Sequence, residues 1–304
     1  MPYSVIVSQG RVADRTPGAI PGAALLGLAL AERLGLRVMV CGAPSPAATD
    51  AWPEALAQAE PTLLGLADAV KSALDESSTP LLALNKCPAS LATLPVAAAR
   101  WPGPNRPGDH ELGFPAWDLS RPGLKVLWID AHGDFNTPAT TATGYLGGMV
   151  LAAACGLWDS GHGAGVAGEN VVVLGGHDLD EAEAALLAAA GATVVPPTVG
   201  SAEAIAEAVN TALGDDGPIW VHLDCDALEP GHVPADYVVP GGFSPATLKA
   251  VLAALPVERV VGIEIAEFEA SPDASESAAE PDSVTRRGLE ILLDVVAPLL
   301  AKPR

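Results

Sequence analysis

The chain has 304 residues, 49% of them apolar and 4% aromatic, so a large core of Leu, Val, Ile and Ala is available and the composition argues against disorder. Sixteen Lys and Arg against 37 Asp and Glu give a formal net charge of −21, which disfavours nucleic acid and anionic membrane surfaces as partners and suits a soluble protein, a cationic substrate or metal ions. Four cysteines (Cys41, Cys87, Cys155 and Cys225) stand far apart with no Cys-x-x-Cys pair, and no basic leader precedes the first apolar run, so reduced thiols and a cytoplasmic location are expected.

Taken in chain order, Tyr3–Ser8 predicts a first strand almost at the start. Residues 19–31 form the longest apolar stretch; Pro21 interrupts it and Glu32 and Arg33 end it, so it is too short to span a bilayer and reads as a buried helix. Further strands are predicted at 37–41, 80–84, Lys125–Asp130, 170–174, Thr193–Val195, Ile219–Asp224 and 257–265. Several are continuous apolar runs, the pattern of strands buried on both faces of a parallel sheet. Ala-rich and Leu-rich segments between them, such as Glu181–Ala190, Ala202–Leu213 and 245–255, predict helices. Such alternation specifies one α/β domain over residues 1–304 with helices on both faces of the sheet. Two stretches read as long loops, the Pro- and Gly-rich 102–123 and the acidic 269–283.

Chemistry concentrates at two strand ends. Asp130-Ala131-His132-Gly133-Asp134 follows the strand at 125–129, and its three potential ligands at alternate positions share one side of an extended backbone. Asp224-Cys225-Asp226 follows the strand at 219–223 and repeats the arrangement with two carboxylates. Each alone also reads as an acidic turn or cap. Two together, at the carboxyl ends of two parallel strands, place four carboxylates and an imidazole in one cleft, where they repel one another unless cations neutralise them. The donors suit Mn²⁺, Mg²⁺, Fe²⁺ or Zn²⁺, and their oxygen-rich balance leans toward Mn²⁺.

The stretch WIDAHGDFNTPATTATGYLGGM (128–149) resembles the second signature of arginases, HLDCDALEPGHVPA (222–235) resembles their SxDxDxxDP signature, and GIEIAEF (262–268) their glutamate motif, in the family's order and spacing. The resemblance to this ureohydrolase family covers essentially the whole chain. It implies a three-layer α/β/α fold with a mainly parallel eight-stranded sheet, a homotrimer or hexamer, two Mn²⁺ ions, and hydrolysis of the guanidino group of an L-arginine-type substrate. It further implies that Asp130, His132, Asp134, Asp224 and Asp226 are metal ligands and that Asp134 also carries protons. Glu267 matches the partner of the substrate guanidinium. Asn136 and Thr143 match the α-carboxylate positions, and Asp180 and Glu183 the α-amino side, which favours an intact amino acid over a decarboxylated substrate. Asp180 also reads as a helix N-cap.

Two departures stand out. Where the family carries Gly-Gly-Asp-His-Ser, this chain has Leu84-Asn85-Lys86-Cys87-Pro88, which puts Cys87 on a metal-binding histidine position. Its thiolate is a competent ligand, and a buried hydrophobe is the alternative. Where the family carries a proton-shuttling histidine, four residues beyond the position of Thr143, this chain has Gly147. Both changes weaken activation of L-arginine and favour Nω-hydroxy-L-arginine, whose hydroxyguanidine is less basic, giving L-ornithine and hydroxyurea. Other readings are a non-catalytic or single-metal binding or assembly protein of this fold, a hydrolase of another guanidino compound, and a Cys87 nucleophile, for which the sequence offers no identifiable histidine partner. His110, His162, His177, His222 and His232 read as structural.

Overall fold

The computed structural model describes residues 2–103, 122–270 and 281–301. Eight strands form one sheet: β1 (Tyr3–Ser8), β2 (Val38–Cys41), β3 (Thr79–Ala83), β4 (Lys125–Asp130), β5 (Val171–Gly175), β6 (Thr193–Val195), β7 (Ile219–Asp224) and β8 (Val260–Ala266). The order is β2-β1-β3-β8-β7-β4-β5-β6, and every pairing is parallel. The last strand thus lies in the middle and joins the two halves of the sheet.

The helices are α1 (Ala19–Leu34), α2 (Trp52–Asp75), α3 (Ser90–Arg100), α4 (Val150–Ala154), α5 (Glu181–Ala190), α6 (Ala202–Leu213), α7 (Pro245–Ala253) and α8 (Ser283–Leu300). Alternation along the strands divides them into two layers. Ile6, Val126 and Trp128 face α2–α5, while Val5, Val7, Leu127 and Ile129 face α1, α6, α7 and α8. Both faces of the sheet are therefore covered by helices, which is why its strands read as unbroken apolar runs. None of the described helices is long and apolar enough to cross a membrane.

Most predicted boundaries fall within a few residues. The largest difference is at 257–265: Val257–Arg259 is a 3-10 turn and the strand begins at Val260. Pro256 precedes that turn, and the Arg259 guanidinium donates to the carbonyls of Gly214 and Gly217 instead of lying along a ladder. Within β8, Gly262 pairs in register with Trp220, whose indole fills the space a side chain at 262 would need. The predicted loop at 102–123 lies outside the described residues except at its ends. The same holds for 271–280, and Ser283 already belongs to α8.

Candidate metal centre

Four neighbouring strands, β3, β8, β7 and β4, deliver their carboxyl ends to one cleft, the place where open parallel sheets bind ligands. A cavity of about 340 Å³ opens there, and Cys87, His132, Asp134, Asp224, Asp226 and Glu267 line it. The two acidic motifs and the Cys87 loop, separate in sequence, converge as predicted.

At the β4 end, His132 Nδ1 lies 3.2 Å from Asp130 Oδ1 and 3.1 Å from Asp226 Oδ2. The same Asp130 oxygen accepts the His132 N–H at 2.7 Å, and Trp128 Nε1 donates to Oδ2 at 3.1 Å. Burial, then the charge of Asp226, pushes the Asp130 carboxyl up to about 6. Burial opposes protonation of His132, but bonds to Asp130 and Asp226 outweigh it and raise its pKa. The imidazole sits between two carboxylates, where a cation would find three donor atoms.

At the β3 end, the loop after the strand is pinned by Asn85, whose Nδ2 donates to the Asp14 carboxylate at 2.7 and 2.8 Å and to the Gly10 carbonyl at 2.9 Å. A 3-10 turn, Cys87–Ala89, then opens on Cys87 with Pro88 in its first positions, and Cys87 is buried against the cavity. Its Sγ lies 3.0 Å from Asp224 Oδ2 and 3.4 Å from His222 Nε2. Burial first, then Asp224 and its neighbours, raises the thiol well above its usual range, and the same two causes, burial and nearby carboxylates, raise Asp224 and Asp134. Asp134 Oδ2 is buried with no hydrogen-bond partner among the described residues, and a cation would provide one. The donor set thus fits a divalent metal. Three candidate donor triads, Cys87–Asp130–His222, Cys87–Asp224–Glu267 and Asp130–His132–Asp226, gather here, and their carboxylates are too costly to bury together as bare anions. Asp134 lines the same cavity but falls in none of those triads.

Asp134 and Glu267 are two of the non-glycine residues with positive φ, at 49° and 67°. Such backbone is costly for residues with a Cβ and persists where the surroundings over-determine it. At Asp134 the peptide carbonyl is held by the amides of Leu151 and Ala152. The Glu267 carboxylate meets Lys86, which is wholly buried. Lys86 Nζ lies 2.5 Å from Glu267, 3.0 Å from Asp236 and 3.2 Å from Glu269. Burial works against this ammonium, but three carboxylates keep it charged. Burial, opposed by Lys86, pushes Glu267 up to about 7.

On the amino-acid side, Asp180 caps α5 by accepting the Glu183 N–H at 2.8 Å and also takes a bond from Asn136 Nδ2 at 2.8 Å. The N-cap reading of Asp180 holds, and the residue also lines the cavity. Thr143 stands exposed at the cavity mouth. Glu183 is turned inward: its Oε1 accepts the Phe135 amide at 2.9 Å, and burial pushes its carboxyl up to about 7. It braces the motif loop.

His222, set aside as structural in the sequence, belongs to the centre. It stacks on its cross-strand partner Trp128 at 3.6 Å, and its Nδ1 lies 2.9 Å from Glu264 Oε2. Ser90 and Thr93 also bond Glu264, so a wholly buried polar layer underlies Cys87. The signal was the spacing His222-x-Asp224-x-Asp226, which puts all three on one side of the strand.

The model of the arginase family matches residues 107–285. An Nω-hydroxy-L-arginine amidinohydrolase from Streptomyces lavendulae is 45% identical over 97% of this chain and 96% of its own length. The chain belongs to the arginase family. It is a hydrolase of guanidino groups, of a family that works with metal. Solved family structures share the fold. Arginase from Bacillus cereus superposes with a TM-score of 0.78 at 23% identity, covering 100% of this chain and 99% of that one. Arginase from Entamoeba histolytica gives 0.78 at 18% identity, covering 99% of each.

Proposed function

We propose that the protein hydrolyses Nω-hydroxy-L-arginine to L-ornithine and hydroxyurea in preference to splitting L-arginine into L-ornithine and urea. The observation that carries this reading is the Lys86 ammonium held 2.5 Å from Glu267. A guanidinium paired with that glutamate would lie beside a fixed positive charge. L-Arginine keeps its cation at every physiological pH, whereas the oxygen of a hydroxyguanidine withdraws electrons and lets it bind neutral. The name of the Streptomyces lavendulae relative supports the same substrate.

Manganese held by Cys87, Asp130, His132, Asp134, Asp224 and Asp226 would supply Lewis acidity and lower the pKa of the attacking water. Asp134 takes one proton of the water as its oxygen adds to the guanidino carbon; the C=N electron pair moves to the hydroxylated nitrogen, which takes the water's other proton, and the oxygen is left to form C=O. The bond from that carbon to Nδ then breaks, its electron pair goes to Nδ, and Asp134 returns the proton there. Glu267 orients the guanidino group, and Asn136, Thr143 and Asp180 hold the amino-acid end. Four free cysteines fit a cytoplasmic enzyme. The test is kcat/KM for both substrates, with hydroxyurea and urea quantified. Wild type should prefer the hydroxylated substrate, and Cys87→His should shift the ratio about tenfold toward L-arginine, because neutral imidazole leaves its metal a stronger Lewis acid than thiolate does. A wild-type preference for L-arginine overturns this reading.

A second reading has a specific observation behind it. Cys87 Sγ, His222 Nε2 and His222 Nδ1 to Glu264 form a chain at 3.4 and 2.9 Å, the ordering of a cysteine nucleophile, its base and the orienter of that base. Burial first, then the surrounding carboxylates, opposes a free thiolate, so the metal reading is preferred. Activity that survives thorough chelation but not Cys87→Ser would reverse that preference.

A further inference from the structure

Gly147, at the place of the family's shuttling histidine, is not an empty position. A Cβ built on Gly147 would overlap the ring carbons Cδ1 and Cε1 of Tyr145. The missing side chain is what lets the tyrosine ring swing into the wall of the cavity. Tyr145 lines that cavity, is only 8% exposed, and has a buried hydroxyl with no hydrogen-bond partner among the described residues. The ring is clamped: the Arg15 guanidinium lies 4.2 Å from its centroid on one side, and the Tyr237 ring is 6.0 Å away. Tyr145 shares the cavity lining with Cys87 and Glu267, the guanidino end; burial first, then the Glu267 carboxylate, raises its phenol well above the usual range, and the Lys86 ammonium opposes them. A buried hydroxyl without a partner is unfavourable for the fold, so one kept in the wall of a binding cavity points to a ligand that completes it.

We propose that Tyr145 is the specificity residue for the substrate's N-hydroxyl group: its phenol O–H donates a hydrogen bond to the hydroxyl oxygen, and L-arginine, with no oxygen there, leaves it unanswered. This rests on the substrate reading above. The space left by the missing side chain at Gly147 is the space that the Tyr145 ring fills.

The test uses Tyr145→Phe in the metal-loaded enzyme. Phenylalanine keeps the ring, its packing on Gly147 and its contact with Arg15, so the melting temperature should be equal to or above that of wild type. The ratio of kcat/KM for Nω-hydroxy-L-arginine to that for L-arginine should fall about 10- to 100-fold, the cost of deleting one buried hydrogen bond. Competitive inhibition by hydroxyguanidine should weaken by the same factor relative to inhibition by guanidine, a shift that a merely structural tyrosine would not produce. Unchanged ratios in both measurements, or equal losses for both substrates and both inhibitors, overturn the proposal. If wild type does not prefer the hydroxylated substrate, the substrate reading fails first. The inhibitor pair still decides Tyr145, and no selective loss for hydroxyguanidine rejects it.

Discussion

The two ends of the cleft balance their charge by different means. At the β4 end Asp130 and Asp226 meet His132, whose ring is both a donor atom and, when protonated, the counter-charge; its side chain keeps 25% exposure and so a route to solvent. At the β3 end Cys87, Asp224 and Glu267 are sealed, and the counter-charge is the ammonium of Lys86. An imidazole gives up its proton when a cation arrives, so the β4 end can exchange one positive charge for a larger one. The ammonium at the β3 end cannot leave. Part of the negative charge there is already spent, and that end should hold its ion less tightly.

The largest effect expected comes from breaking the cluster itself. Asp224→Ala removes the carboxylate facing Cys87, and metal content and turnover should fall together, turnover by about a thousandfold, since several kcal/mol of charge stabilisation go with the ion. Elemental analysis beside kcat checks this, and full turnover in that variant would mean that neither end needs a cation. Next comes Lys86→Met, which strands Glu267, Asp236 and Glu269 without their counter-charge. Denaturant unfolding should show a loss of about 3–5 kcal/mol, as for other broken buried pairs; a loss under about 1 kcal/mol would mean that the ammonium does not compensate the β3 end.

The smallest effect is the pH response of chelated protein. Asp130 at about 6, and Glu183 and Glu267 at about 7, lie above their ordinary 3.8 and 4.5, so the folded chain holds protons that the unfolded chain has released. Their contribution is fully present below about pH 4 and is lost as pH rises to about 7. His132, also raised, acts in the same direction above its ordinary 6.5. The melting temperature of stripped protein should therefore drop by a few degrees between pH 5 and pH 8, and added divalent ion should restore it. A rise with pH would contradict these shifts.

Much of this was legible in the sequence because it is local. β4 and β7 are apolar runs ended by alternating ligands, so strand, face and function are written in consecutive residues. What escaped reading depends on distance. Lys86 meets Glu267 across 181 positions, and His222 meets Cys87 across 135, contacts that no local pattern encodes. Tyr145 escaped for another reason: its place is decided by an absence two residues on, at Gly147. The 3-10 turn before β8 was missed because 257–265 is apolar enough to read as strand throughout, while the side chain of Arg259 holds its start to another loop.

The central place of β8 also governs the birth of the centre. As the chain leaves the ribosome, β1–β3 can assemble as one half-sheet and β4–β7 as another, but the seam between them waits for residues 260–266. Cys87 belongs to the first half, Asp130 to Asp226 to the second, and Glu264 and Glu267 arrive with the strand that closes them together. Such late, non-local pairing is slow and populates partly built states. The Asp130, His132 and Asp226 donors lie wholly in the second half, whereas Cys87 and Asp224 meet only across β8, so the Cys87 side of the centre is the part that waits for the sheet to close.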